Sequence, residues 1–375
     1  MSLRRTGIAL AAALLALTAP LGSATAAQPT DLALPPPTGS HPVGTDVLHV
    51  RDASRPDPWV PDQPRELMVT TWYPAAGPGT KPARYLSAEE SRRFVQLQAD
   101  YGGTPFEPAD VLSTVGTHAR DHAPALRTPN GHPLVVLSPG HSYPRALLTG
   151  MAEDLASRGY VVAAIGHNHE SAGTEFPDGR VTPCVACHTD DMGAVARGRA
   201  VDARFVLDEL TGHPRFSTLI DERRIAMVGH SIGGASAAEA MATDPRIDAG
   251  VNLDGTFPAP LPDEGLHRPF LMLGAEHHNP GSELESSWDE TWQRLHGWKR
   301  WITMRGSGHG SATDVNMLAN QNGIQYPGEP LPGARSAELA NRYVAAFLDR
   351  HLRDRPQPIL DGPNAADPEM LFWHR

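Results

Sequence analysis

A serine between glycines, an aspartate closing an apolar run and a histidine in a glycine-rich loop are the groups in this chain best suited to chemistry. The serine is Ser231, in Gly229-His230-Ser231-Ile232-Gly233-Gly234, with the apolar run Ile225 to Val228 before it and the helix-forming run Ala235 to Met241 after it. A G-x-S-x-G pentapeptide between strand and helix puts its serine on a tight, strained turn, where bulky neighbours do not fit and the hydroxyl stands exposed. A hydroxyl is a poor nucleophile at neutral pH, so it needs a base, and the base needs an acid to orient it. His309, in Gly306-Ser307-Gly308-His309-Gly310-Ser311, is the candidate base, because glycine neighbours let an imidazole approach closely. Asp254 follows the apolar run Ala249 to Leu253 and is the candidate acid. Glu276 competes for that role after the run Pro269 to Gly274, with His277 and His278 beside it giving an ordinary surface explanation. An aspartate ending an apolar strand is costly without a partner, which favours Asp254.

The elements that must carry these groups are legible as alternating apolar and amphipathic segments. Strands are expected at 133–138, 160–165, 224–229, 249–253, 269–274 and 300–304, and helices at about 193–211, 232–242 and 335–352. Leu147, Met151 and Leu155 mark a further helical stripe, and Gly159 its stop. Such alternation builds a mostly parallel sheet with helices on both faces. Segments 46–50 and 67–73 read as an antiparallel start to that sheet. The chemistry-bearing residues then fall at strand ends, in the order Ser, acid, His, which is the order of an α/β-hydrolase fold.

Around this single domain, from 43 to 375, the sequence implies three accessory segments. Residues 28–42, with Pro35, Pro36 and Pro37, read as an extended and poorly packed arm. Residues 86–125 read as a helical insertion or lid, opened by a Ser87/Glu90 capping box. Residues 1–27 read as a signal peptide: Arg4 and Arg5, the apolar run Ile8 to Leu21, then Ala24, Thr25 and Ala26 as cleavage site. Export by the general or the twin-arginine route is expected. That run is too short and alanine-rich to span a bilayer, so no transmembrane segment is expected in the mature chain.

Composition narrows the function classes. With 40% hydrophobic and 20% charged residues the chain can bury a large core, and its net charge of -11 disfavours nucleic acid and anionic membranes as partners. His167-Asn168-His169-Glu170 and Glu276-His277-His278 hold metal-ligand residue types but lack the H-E-x-x-H spacing of a catalytic zinc site, so they read as surface or pocket-rim groups, and no metal or cofactor is expected. Cys184-Val185-Ala186-Cys187-His188 fits the attachment pattern of c-type haem, yet in an oxidising compartment a Cys184–Cys187 disulfide is the simpler state.

Taken together, Gly229 to Gly234, Leu253-Asp254-Gly255 with Phe257-Pro258, and Gly306 to His309 resemble the secreted platelet-activating-factor acetylhydrolase family and its bacterial relatives, over about residues 134–312. The resemblance implies a metal-independent serine esterase of α/β-hydrolase fold, with its acid after the strand that follows the nucleophile helix, hence Asp254. It also implies an oxyanion hole formed by the backbone amides of Ile232 and His141. This chain reads Ser138-Pro139-Gly140-His141 where the family often shows His-Gly. The substrate expected is a small-molecule or lipid ester. Three other readings remain: a polyester or cutinase-type hydrolase, a non-catalytic binding protein on a hydrolase scaffold, and a haem electron carrier.

Overall fold

The computed structural model describes residues 31–282 and 285–373, so the leader expected at 1–27 lies outside the described residues. In chain order the strands and α-helices are β1 (Val43–Pro56), β2 (Pro64–Pro74), α1 (Ala88–Asp100), β3 (Arg120–Asp121), β4 (His132–Ser138), α2 (Thr149–Ser157), β5 (Val161–His167), β6 (Gly173–Glu175), β7 (Val181–Pro183), α3 (Met192–Gly212), β8 (Ile220–His230), α4 (Ile232–Thr243), β9 (Ile247–Leu253), β10 (Phe270–Gly274), α5 (Ser287–Gln293), β11 (Lys299–Met304), α6 (Asp314–Gln321), α7 (Gly333–Arg353) and β12 (Met370–Trp373). The large sheet runs β12-β11-β10-β9-β8-β4-β5-β2-β1-β3. From β11 to β5 every neighbouring pair is parallel, while β2 is antiparallel to both β5 and β1, and β12 to β11.

The period of two along each strand decides which helices cover which face. In β4, Leu134 and Val136 belong to the apolar cluster that also holds Val195, Leu207 and Ala238 of α3 and α4, whereas Val135 and Leu137 pack with Met151 and Leu155 of α2 and with Leu339 and Tyr343 of α7. Both faces are therefore buried, which is why these strands read as unbroken apolar runs. Each fully buried Leu, Val or Ile contributes roughly 1.5–3 kcal/mol relative to exposure. Among the described residues no helix is long and apolar enough to cross a membrane.

The strands expected from sequence appear with boundaries shifted by a few residues, and α3, α4 and α7 stand where expected. Two expectations need correction. The insertion is helical only over α1, where Ser87 and Glu90 form the reciprocal capping box; beyond a short turn at Val111–Thr114 the chain extends and β3 pairs parallel to β1, forming the edge of the sheet. The arm is not loose: Leu32 and Leu34 are buried with Phe94, Leu112 and Leu318, and Thr38 donates to Asp154 through both its amide and its hydroxyl. The prolines remove amides from the chain, but Leu32 and Leu34 just before them supply the apolar surface that seats the arm.

Candidate active site

β8 ends at His230 and α4 begins at Ile232, so Ser231 alone turns the chain. Its φ of 55° and ψ of -129° lie where a non-glycine residue is strained, a cost the surrounding packing must impose. That packing tolerates no side chain at the flanking glycines. A Cβ on Gly229 would fall 1.9 Å from Gly233 O, and one on Gly233 would fall 2.2 Å from Ser138 O. The Ser231 amide donates to Leu253 O at 2.8 Å, which ties the turn to the end of the neighbouring strand.

That strand end delivers Asp254, itself at φ 58° and buried. The loop after β11 delivers His309. His309 Nδ1–H donates to Asp254 Oδ2 at 2.6 Å, which leaves Nε2 to accept from the Ser231 hydroxyl at 3.0 Å. The structure thus brings Ser231, His309 and Asp254 into one chain of hydrogen bonds. Glu276 stands apart: its carboxylate accepts from the Gly306 amide at the root of the histidine loop.

Asp254 has two further donors that the sequence did not announce. Its Oδ1 accepts from the Ala275 amide at 2.5 Å and from His278 Nδ1 at 2.6 Å. His278 follows β10, is buried, and stacks on Trp288 with ring centroids 4.1 Å apart. It was masked by its exposed-looking neighbours Glu276 and His277; the signal available was a second histidine at the end of a strand adjacent to that of the acid. Burial alone would push the Asp254 carboxyl up, but the hydrogen bonds from His278 and His309 hold it far below the usual carboxylate range. For His309 the balance reverses. Burial pulls the imidazole down, and the hydrogen bond and charge of Asp254 outweigh it, so its pKa is raised above the ordinary value.

His230, inside the pentapeptide, also has a role that was not read from sequence. Fully buried, it donates from Nε2 to the His309 carbonyl at 2.7 Å and stacks on Tyr143 with centroids 5.3 Å apart. Burial and the nearby His309 lower its pKa to about 3, so it stays neutral while it holds the His309 backbone.

The loop 138–142 packs against the serine, for a Cβ on Gly140 would lie 3.3 Å from Ser231 Cβ. In this loop the Ser142 amide donates to Glu170 O and the Tyr143 amide to Gly140 O, whereas among the described residues the His141 amide takes no such backbone partner. The Ile232 amide is the first of α4, where the helix leaves its N–H groups unpaired. The His141 ring nitrogens are buried next to the disulfide that joins Cys184 and Cys187.

Beneath the loop lies an ion network. Arg199 donates to the Pro139 carbonyl and, from Nε, to Glu170 Oε2 at 2.6 Å. Arg65 reaches Glu170 Oε1 at 3.0 Å, Asp202 Oδ2 at 2.6 Å and Asp57 Oδ2 at 2.9 Å. His167 donates from Nδ1 to Asp202 at 2.8 Å, so its Nε2 accepts from the Ser138 hydroxyl at 3.0 Å. His167, Asn168, His169 and Glu170 are therefore not surface or rim groups, as their polarity implied; all four are buried, with Arg65 on the Asn168 carbonyl, Arg65 and Arg199 on Glu170, and Asp202 and Ser138 on His167. Burial pushes the Glu170 carboxyl up, and Arg199 and Arg65 more than reverse it. Replacing Arg199 by methionine leaves Glu170 Oε2 without its donor while Arg65 still holds Oε1, and should cost about 1–3 kcal/mol of stability, read as a lowered urea midpoint. An unchanged midpoint would mean that the network does not hold the loop.

Among the described residues two groupings bring ligand-type atoms within 4.8 Å of one another: His141 with Cys184 and Cys187, and Asp254 with His277 and His278. In the first the sulfurs are spent on each other, which also leaves neither for covalent haem. In the second Asp254 is already engaged by two histidines.

A parallel sheet covered on both faces, with a strained serine after one strand and its histidine and aspartate after others, defines a hydrolase of the α/β class. Residues 93–178 and 193–357 match the family model described as platelet-activating factor acetylhydrolase, isoform II, and the chain belongs to that family. It is a serine carboxylic ester hydrolase by class. A probable 1-alkyl-2-acetylglycerophosphocholine esterase of Arthroderma benhamiae is 27% identical, covering 92% of this chain and 94% of its own. A solved ferulic acid esterase from Streptomyces cinnamoneus is 44% identical, with TM-score 0.80 over 92% of this chain and 100% of its own. A bis(hydroxyethyl) terephthalate hydrolase of Streptomyces coelicolor is 29% identical over 147 residues, 38% of each chain.

Proposed function

We propose that this chain hydrolyses carboxylic esters through an acyl-enzyme carried by Ser231. His309 takes the hydroxyl proton and returns it to the leaving alcohol, Asp254 holds the imidazolium, and the amides of Ile232 and His141 receive the developing oxyanion. Water, activated by the same imidazole, then releases the acid. The observation that carries this reading is the unbroken chain from the Ser231 hydroxyl through His309 to Asp254. The test is a fluorophosphonate probe followed by peptide mass analysis. The expected adduct is on Ser231; an intact, unlabelled protein would favour a binding protein on a hydrolase scaffold instead.

The pH dependence follows from the base. His309 acts only when neutral, and the hydrogen bond and charge of Asp254 raise its pKa. The rate kcat/KM for a neutral ester should therefore fall as pH drops through a value above the ordinary imidazole range. An acid limb centred clearly below that range would contradict the pairing.

A second reading concerns the acyl group. Ferulate and terephthalate are aromatic acids, and two relatives are named for acting on their esters. Turnover of aryl esters above that of acetyl and longer alkyl esters would place this chain with them; the reverse preference would place it with the acetylhydrolases. Export is part of the proposal. It is supported by the charged, apolar and small-residue pattern of 1–27 and by a disulfide, which persists in oxidising compartments.

A further inference from the structure

A cavity of about 460 Å³ lies away from Ser231, and none of its lining residues belongs to the catalytic set proposed above. Its floor is the sheet face formed by β1 and β2, and its roof is residues 81–90 together with the turn between β6 and β7. Met68, Trp72, Tyr85 and Phe176 give it apolar walls. Arg145 enters it from the turn after the 138–142 loop, lying across Gly166, where a Cβ would come within 3.1 Å of Nη1.

Two charged groups of this cavity, Glu90 and Arg145, stand outside its ion pairs. Lys81 faces Asp121 at 3.7 Å and Arg84 is bridged to Glu175. Glu90 is spent on the amide and hydroxyl of Ser87 and on the Glu175 amide. Among the described residues Arg145 donates from Nε, to Thr70 Oγ1 at 2.8 Å, and no carboxylate forms an ion pair with its two terminal nitrogens, although the charges of Glu90 and Glu175 act on it from farther away. A partly buried guanidinium against apolar walls is poorly solvated, and an anion that accepts from both terminal nitrogens would offset that cost. The volume suits a small organic molecule rather than an ion alone.

We infer that this cavity is a binding site for an organic carboxylate, its carboxyl group held by the Arg145 fork and its aromatic or alkyl body against Trp72 and Phe176. Nothing in this assignment depends on Ser231. Carboxylates are the acids that the proposed ester hydrolysis releases, and the lining of this cavity includes none of Ser231, His309 and Asp254.

The test is the melting temperature of the full chain titrated with benzoate, with benzamide as the neutral isostere and phenyl phosphate as the other anion. A saturable rise with benzoate and none with benzamide is expected. Arg145→Met should weaken benzoate by at least about tenfold, because a charge-assisted pair is lost. Should Arg145→Met fail to fold, Val47→Trp is the second variant: Val47 is 54% exposed and lines the cavity, so an indole there should fill the space and weaken benzoate likewise. Equal shifts from benzamide and benzoate, a benzoate shift unchanged in either variant, or a shift from phenyl phosphate alone would overturn the assignment.

Discussion

Ser231→Ala should lower kcat for a chromogenic short-chain ester by about 10⁶-fold while leaving KM within a few-fold. The size follows from the geometry. His309 Nε2 meets the Ser231 hydroxyl at 3.0 Å, and without that hydroxyl neither an acyl-enzyme nor an activated alkoxide can form. What survives is whatever the Ile232 and His141 amides contribute by polarising a bound carbonyl while water attacks, on the order of 10³-fold over solution. The substitution is mild for folding, since a methyl group replaces a hydroxymethyl at a site whose backbone is fixed by the Leu253 and Gly234 hydrogen bonds. The melting temperature should thus move little, or rise if the hydroxyl's place among strained groups is costly. Retention of more than about a thousandth of the wild-type kcat would remove Ser231 from the mechanism.

What the sequence disclosed about this site, and what it hid, divides along a physical line. Ser231, Asp254 and His309 were legible because each sits in a local context whose chemistry is written in consecutive residues: a glycine-bounded elbow, an acid ending an apolar run, an imidazole among glycines. The strands were legible because both sheet faces are buried, which turns period-two alternation into uninterrupted runs such as Val161 to Ile165. The sheet's strand order was not, since β8 beside β4 and β2 beside β5 are choices made by long-range packing.

The supporting groups were hidden for the same reason. Arg65 and Arg199 look like surface arginines in sequence, and only the fold brings β2 and α3 against Glu170, where each becomes buried. His278 and His230 act through Asp254 and the His309 carbonyl, partners far away along the chain. The short hairpin of β6 and β7 and the terminal strand β12 were missed because three or four residues carry too little periodicity to register.

Asp254→Asn should reduce kcat by about 10⁴-fold, whereas Glu276→Gln should cost less than about tenfold. Asp254 is an acceptor to two imidazoles and one amide at once, each at 2.5–2.6 Å. An asparagine side chain has one acceptor oxygen, so it can satisfy Ala275 and His278 or it can satisfy His309, and its amide hydrogens must then point at a nitrogen that already bears a proton. If the oxygen stays with Ala275 and His278, the His309 ring has to shift its proton to Nε2, and the base that Ser231 needs is gone. Loss of the charge also removes what held the His309 pKa up, so the acid limb of the residual activity should move to lower pH. Glu276 meets neither condition. Its carboxylate serves the Gly306 amide, a bond that the oxygen of glutamine can replace, so the loop keeps its root and the imidazole its partner. Equal losses in the two variants, or an unmoved acid limb in Asp254→Asn, would mean that the acid lies elsewhere, and the hydrogen-bonded chain from Ser231 would have to end at a group other than the carboxylate after β9.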